Sequence, residues 1–236
     1  MAQNTPNHNN NELEGKETVE VFKDLDRGAL DTERFIEKNA KTLIAIFVGL
    51  LVLVLGYFAY QQFYLQPRNE EATLSYLAAQ KNMAEGKQDL ALGGKTAANP
   101  GYLGTLKDFG DTKAGKLSAY NAGLLKFKEG KYQEAYNLLD QFSSKNDVLM
   151  ALKYGAMADA QLNLNKNEEA LSLLDQATTA SDDPYTAYYF TRKAGIVALA
   201  LKKKDAAKKY FSAIDEKYQD YDNGMSDAYI EMVRYY

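Results

Sequence analysis

Hydrophobic and polar positions follow different patterns along successive parts of this chain. Residues 1–16 (MAQNTPNHNNNELEGK) are rich in Asn and carry few apolar side chains, too few to offset the entropy of ordering the backbone, so disorder is expected there. Residues 18–30 (TVEVFKDLDRGAL) have the spacing of a short amphipathic helix, weakened by Gly28, and Asp31 suits the N-cap of a second helix that carries Phe35 and Ile36 forward. Residues 42–60 (TLIAIFVGLLVLVLGYFAY) are then apolar on every face. Nineteen residues at the helical rise span roughly 28 Å, close to the hydrocarbon thickness of a bilayer. No Asp, Glu, Lys or Arg occurs from Thr42 to Pro67, which predicts a transmembrane helix with Tyr57, Tyr60 and Tyr64 at one interface.

Beyond Pro67, Ala72, Leu74, Leu77 and Ala78 recur at helical spacing up to Glu85 and Gly86. Residues 86–116 hold seven of the sixteen glycines, in Gly-Gly, Asn-Pro-Gly and Phe-Gly-Asp turns around a helical patch with Leu103, Leu106 and Phe109. Residues 67–116 therefore read as an irregular first helical unit. After it, three segments align without internal gaps: AYNAGLLKFKEGKYQEAYNLLDQF, YGAMADAQLNLNKNEEALSLLDQA and TRKAGIVALALKKKDAAKKYFSAI.

Ala135, Ala170 and Ala207 anchor that alignment. Twelve residues before each anchor stands a small residue (Gly123, Ala158, Gly195), eight before it a large apolar one (Phe127, Leu162, Leu199), and four after it Leu139, Leu174 and Phe211. Small residues on both helices let an antiparallel pair approach closely, and large ones fill the ends of the contact. The anchors lie 35 and then 37 residues apart, with the extra two in the SDDP turn. The pattern resembles the tetratricopeptide repeat, of period about 34. The first copy adds Gly130 at its inter-helix turn, where the second reads as Asn165 and the third as Lys203. The expected fold is all-α: one N-terminal transmembrane helix within residues 31–66, an α-solenoid of three repeats over 117–215, and a capping helix over 216–236.

Charge sets an orientation for the membrane helix. Arg27, Arg34, Lys38 and Lys41 precede the apolar run, whereas Arg68 alone follows within twenty residues, so residues 1–30 form a cytoplasmic tail and the repeats an extracytoplasmic domain. A run flanked by bulky residues, with no A-x-A site, is expected to stay as an uncleaved signal anchor. The absence of cysteine leaves no thiol to lipidate or to pair. Nine acids against six bases before residue 42, and 23 against 22 beyond, supply no basic field for nucleic acid.

No catalytic constellation emerges. His8 is the sole histidine and has no clustered partner, and no phosphate-binding Gly-rich loop, G-x-S-x-G or H-E-x-x-H pattern occurs, so neither enzyme activity, nor a cofactor, nor a metal is expected. Glu168 with Glu169, and Asp182 with Asp183, read as solvated turn residues. Lys202, Lys203, Lys204, Lys208 and Lys209, interleaved with Asp205, read as a soluble face. What remains is binding surface. If the first helix of each repeat lines the concave side, Tyr120, Leu124, Asp159, Tyr189, Arg192 and Ile196 face a groove suited to extended or partly folded polypeptide. Phe127, Leu162 and Leu199 fit that groove or the interhelical core equally. In the membrane helix, Ala45, Gly49 and Gly56 form a small-residue stripe that permits close helix packing.

The layout as a whole resembles the YfgM family, ancillary subunits of the bacterial SecYEG translocon. The segment ERFIEKNAKTLIAIFVG, with Arg34, Phe35, Asn39 and Lys41, is similar to that family's entry into the membrane, and NPGYLGTLKDFGDTKAGKLSAYNAGLLKFKEGKYQEA resembles tetratricopeptide proteins of Bacteroidota. The long Asn-rich tail and the degenerate later repeats depart from the family. The resemblance implies a non-enzymatic scaffold in the bacterial inner membrane. Its partners would be SecYEG, a PpiD-type periplasmic chaperone and the emerging polypeptide, with membrane lipid around the anchor. A scaffold for cell-envelope assembly or division is the alternative.

Overall fold

The computed structural model describes residues 9–96 and 98–235, with side-chain surroundings from Phe35 onward. Residues 1–8, with His8 among them, lie outside the described residues. The chain divides into two compact units, residues 1–64 and 65–236.

The first unit is one helix, α1 (Asn9–Tyr60). It begins inside the Asn-rich segment and runs unbroken through Gly28 and Asp31, because a lone glycine costs a helix only about 1 kcal/mol and no proline stops it. Its apolar stretch is long enough to cross a membrane, and none of that stretch is buried against the rest of the chain. Phe47 and Leu53 remain 68% and 70% exposed. At the end of this unit Gln61 donates to the Tyr57 hydroxyl at 2.9 Å, and Tyr60 stacks on Tyr64 at 5.2 Å between centroids. A π-helical turn, Gln61–Leu65, follows in sequence.

The second unit is all-helical: α2 (Gln66–Ala84), α3 (Gln88–Gly93), α4 (Gly101–Phe109), α5 (Lys113–Lys128), α6 (Tyr132–Asp140), α7 (Asp147–Asn163), α8 (Asn167–Thr179), α9 (Pro184–Ala200), α10 (Lys204–Lys217), α11 (Gln219–Asp222) and α12 (Asp227–Arg234). Pro67 opens α2, where its missing N–H costs nothing. Helices α5 with α6, α7 with α8, and α9 with α10 pair as hairpins that stack on one another. The anchors Ala135, Ala170 and Ala207 are fully buried, as are Leu139, Leu174 and Phe211 one turn on. A Cβ at Gly123 would lie 2.7 Å from Leu139, and one at Gly195 would lie 2.8 Å from the Phe211 ring, so these sites admit nothing larger than glycine.

Helices α2 and α3 make a fourth hairpin of the same build. Ala79 and Ala91 are fully buried twelve residues apart, as Gly123 and Ala135 are, and Glu85, Gly86 and Lys87 repeat the Glu129, Gly130 and Lys131 turn. The extra length before α5 holds α4, which packs on both α2 and α5. Arg68 ties the start of α2 to the end of α4. Its guanidinium lies 2.6 Å from the Asp111 carboxylate, donates to the Asp108 carbonyl at 2.8 Å and sits 5.3 Å from the centre of the Phe109 ring.

All four hairpins close with one turn. A residue in the left-handed region stands five before each anchor: Gly86 (φ 74°), Gly130 (76°), Asn165 (58°) and Lys202 (59°). Lysine follows every time, and the N–H groups of Lys87, Lys131, Lys166 and Lys203 donate five residues back, to Asn82, Lys126, Gln161 and Ala198, which caps the first helix. The third repeat's equivalent of Gly130 is thus Lys202, one residue before the Lys203 assigned from sequence. Five residues before Ala207, as Gly130 is five before Ala135, the gap-free alignment itself reaches Lys202, so the assignment to Lys203 is one residue out of register.

Two buried polar contacts fix joints of this stack, one between the first two repeats and one at its C-terminal end. Lys153 donates to the carbonyls of Asp140 and Phe142, at 2.9 and 2.8 Å, satisfying the end of α6. Burial lowers the Lys153 pKa, and the charge of Asp140 opposes the shift only in part. Asp222, 3% exposed, accepts from the Tyr188 hydroxyl at 2.9 Å, from the Ser226 hydroxyl at 2.6 Å and from the Ser226 N–H at 2.8 Å, fastening the segment before α12 to α9. Burial pushes its pKa up, but these donors and the Arg192 charge outweigh burial and leave it lowered. Tyr188 is pushed up to about 12 by burial and by this carboxylate. Helix α12 then covers α10, with Ile230 and Val233 in the core.

Two predictions follow from this geometry. Lys202→Gly relieves a left-handed lysine and raises stability by about 0.5–1 kcal/mol, whereas Lys203→Gly (φ −87° at Lys203) lowers it; thermal melts of the full chain in detergent separate the two. Asp222→Asn destabilises by about 2 kcal/mol at neutral pH, through weakened or misdirected hydrogen bonds to buried donors. A carboxylate with a lowered folded pKa stabilises fully above its unfolded value, near 3.8, so denaturant titrations should show the gap between the two proteins closing as pH falls below it.

Candidate protein-binding face

Because each first helix is held by the same buried small residues, equivalent positions on α5, α7 and α9 recur as rows. Three such rows form one stripe beside the anchor-facing residues: eighteen before each anchor (Leu117, Leu152, Tyr189), fifteen before (Tyr120, Gly155, Arg192) and eleven before (Leu124, Asp159, Ile196). The six residues predicted from sequence all fall in these rows, but the rows differ in what they touch.

The middle row is taken up by packing, within its own repeat at Tyr120 and against the segment that follows at Gly155 and Arg192. Tyr120 is half-buried and lies 5.1 Å from Phe142 between ring centroids, and burial raises its pKa. A Cβ at Gly155 would overlap the ring of Phe190, which is 2% exposed, so α7 and α9 meet there through a residue without a side chain. Arg192 donates to the Met225 carbonyl at 3.4 Å and its field acts on Asp222, so its guanidinium serves the C-terminal segment. Its Nε is buried without a hydrogen-bond partner.

The outer rows are more open. Leu124 and Leu152 are each 39% exposed and Tyr189 is 49% exposed, an unusual level for large apolar residues in helices this well packed. Ile196 is half-buried against the core. Asp159 accepts from Lys193 at 2.7 Å, an ion pair between α7 and α9. Phe127, Leu162 and Leu199 are half-buried, and Phe127 meets Tyr132 edge-on at 5.2 Å. Sequence reasoning missed Leu117, Leu152 and Lys193. Leu152 was within reach of the repeat register, since it occupies the position of Tyr189, but Lys193 lies outside all three rows.

On the opposite helices the polar residues form a ladder with the period of the repeat. Lys203 donates to Glu168 at 2.7 Å, Lys209 to Asp175 at 3.0 Å, the Tyr210 hydroxyl to Asp175 at 3.2 Å and Lys166 to Gln133 at 3.5 Å. The lysine run read as a soluble face therefore also joins repeat to repeat. Glu168 lies in the first turn of α8, and Asp183 is the N-cap of α9, where Thr186 donates through both its N–H and its hydroxyl. These bonds lower the Asp183 pKa. Asp147 is lowered likewise, by the N–H groups of Asp182 and Val148 and the Ser181 hydroxyl. Every one of these carboxylates thus has a structural partner. Among the described residues no group of three or more His, Asp or Glu side chains is placed to hold a metal.

In the first unit, Ala45, Gly49 and Gly56 lie on a helix with open space around it, and a Cβ at either glycine would meet nothing within 4 Å.

A family model described as a tetratricopeptide repeat-like domain matches residues 33–232. A solved structure described as "Crystal structure of MamA protein" is similar over 70% of this chain and 81% of that one, at 17% identity and a TM-score of 0.46. No curated protein matches the chain.

The rows predict a division between surface and support. Leu152→Ser and Tyr189→Ser change stability by less than about 1 kcal/mol, since both side chains are already wet, whereas Gly155→Ala costs about 2 kcal/mol by forcing a methyl group into Phe190. Chemical denaturation of the three variants checks this.

Proposed function

The chain belongs to the tetratricopeptide repeat-like domain family, and from that premise we propose that it is a non-catalytic, membrane-anchored scaffold that binds polypeptide on the outer rows of α5, α7 and α9. The observation that carries the reading is the exposure of Leu152 and Tyr189 in one row and Leu124 in the other, which keeps apolar surface available on helices that are otherwise well packed. Extended chains are recognised by such surfaces through alternate side chains. The match begins at residue 33, so it runs through the apolar helix as well as the repeats and supports tethering as part of the family's layout.

The finer assignment rests on the anchor. Lysine and arginine ahead of the apolar run favour a cytoplasmic N-terminus and a periplasmic repeat domain in the bacterial inner membrane. A binding domain held at that surface suits an ancillary subunit of the SecYEG translocon that passes emerging chains to a PpiD-type chaperone, as the resemblance to the YfgM family implies. Ala45, Gly49 and Gly56 would then offer a packing surface to a neighbouring membrane helix.

Photo-crosslinkers placed singly at Leu152, Tyr189 and Gly49 of the full-length protein in its native membrane test this. Adducts of the first two with nascent exported chains or a periplasmic chaperone, and of the third with a translocon subunit, are expected. Adducts confined to septal or envelope-assembly proteins would replace the translocon assignment with the alternative scaffold role.

A further inference from the structure

A second opening adjoins the first of these rows. Between the start of α5 and the segment that leads into α7 lies a cleft of about 530 Å³. Leu117 and Leu149, both partly exposed, supply its apolar surface over the buried Phe142, and Leu117 occupies the row position of Leu152 and Tyr189.

Its rim is one-sided in charge. Lys113, Lys116 and Lys145 line it, and none of the three is within hydrogen-bonding or ion-pairing distance of a carboxylate among the described residues. The acid on the rim, Asp111, is already held by Arg68 at 2.6 Å, which with the field of Lys116 keeps its carboxyl below the usual range. Elsewhere on the stack, Lys153, Lys193, Lys203 and Lys209 each have a carboxylate within 4 Å. Lys128, Lys202, Lys208 and Lys217 also have no carboxylate within 4 Å among the described residues, but at the cleft three such lysines surround an apolar floor, in a chain of net charge −4.

We propose that this cleft receives an acidic, apolar segment of a partner polypeptide, with a large aliphatic or aromatic side chain on Leu117 and Leu149 and flanking carboxylates on Lys113, Lys116 and Lys145. A compact anion such as phosphate would leave the apolar floor uncovered, and a neutral apolar segment would leave the three ammonium groups unpaired. The proposal rests on the reading of the domain as a polypeptide binder and adds to it the charge of the partner. Electrostatic complementarity of this kind selects among partners and speeds encounter more than it adds affinity.

The test uses full-length protein in nanodiscs of zwitterionic lipid and three fluorescent ten-residue peptides, followed by anisotropy. One peptide alternates Glu with Leu, one alternates Lys with Leu, and one alternates Glu with Ser. Binding of the Glu/Leu peptide is expected to exceed that of the other two, to weaken as salt rises, and to fall at least about tenfold in a Lys113→Glu, Lys116→Glu, Lys145→Glu variant, which alters only rim positions and keeps the wild-type melting temperature. Equal binding of the Lys/Leu peptide, or no loss in the triple variant, overturns the proposal. So does displacement of the Glu/Leu peptide by soluble short-chain phosphatidylglycerol with the same lysine dependence, which would make the site one for lipid headgroups. Binding that survives the triple variant but is lost with Leu152→Ser and Tyr189→Ser rejects this cleft and retains the scaffold; loss of neither rejects both.

Discussion

Two antiparallel helices come into close contact only where both present small side chains, and that constraint governs the whole second unit. It is met four times, by Ala79 with Ala91, Gly123 with Ala135, Ala158 with Ala170, and Gly195 with Ala207. Each pair sets the depth at which its hairpin closes, and Leu139, Leu174 and Phe211 then fill the space one turn away. The turns obey the same geometry: a left-handed residue followed by a lysine whose N–H reaches back five residues. Because every hairpin closes alike, each presents the same faces to its neighbours, and a stack without long-range strand pairing can extend one unit at a time.

Stacking then divides the surface. On the second helices, contacts recur at the repeat period as an ion-pair and hydrogen-bond ladder, whose exposed members contribute little individually and chiefly hold register. On the first helices, one row is consumed by packing, through Tyr120 on Phe142 within its own repeat, Gly155 on Phe190 of the next repeat and Arg192 on Met225 of the C-terminal segment. The rows to either side keep apolar surface in reach of solvent. At the C-terminal end, Asp222 and α12 close the stack. The apolar helix of the first unit is long and apolar enough to cross a membrane.

Much of this was legible in the chain. The apolar run needs no tertiary context, because its length and lack of charge alone match a bilayer. The repeats were legible because small residues at a fixed spacing leave few alternatives to a close helix pair. The earlier hairpin of α2 and α3 was equally written there, in Tyr76, Ala79, Glu85, Gly86, Lys87 and Ala91, yet the insertion of α4 stretched its distance to the next anchor to 44 residues and hid it from a search at constant period. Lys202 was misplaced by one residue although the gap-free alignment puts it five before Ala207, and the left-handed backbone at Lys202 shows the error.

The sequence by itself determined the helical class, the membrane-length segment and the repeat phase, since each depends on local spacing along one helix or one hairpin. Tertiary structure alone decided which first-helix residues are support and which are surface. Gly155 is a requirement only because Phe190 arrives from the next repeat, and Asp159 is occupied only because Lys193 does. Those meetings depend on the rotation between successive hairpins, a quantity that all the packed side chains set together and that no single window of sequence contains.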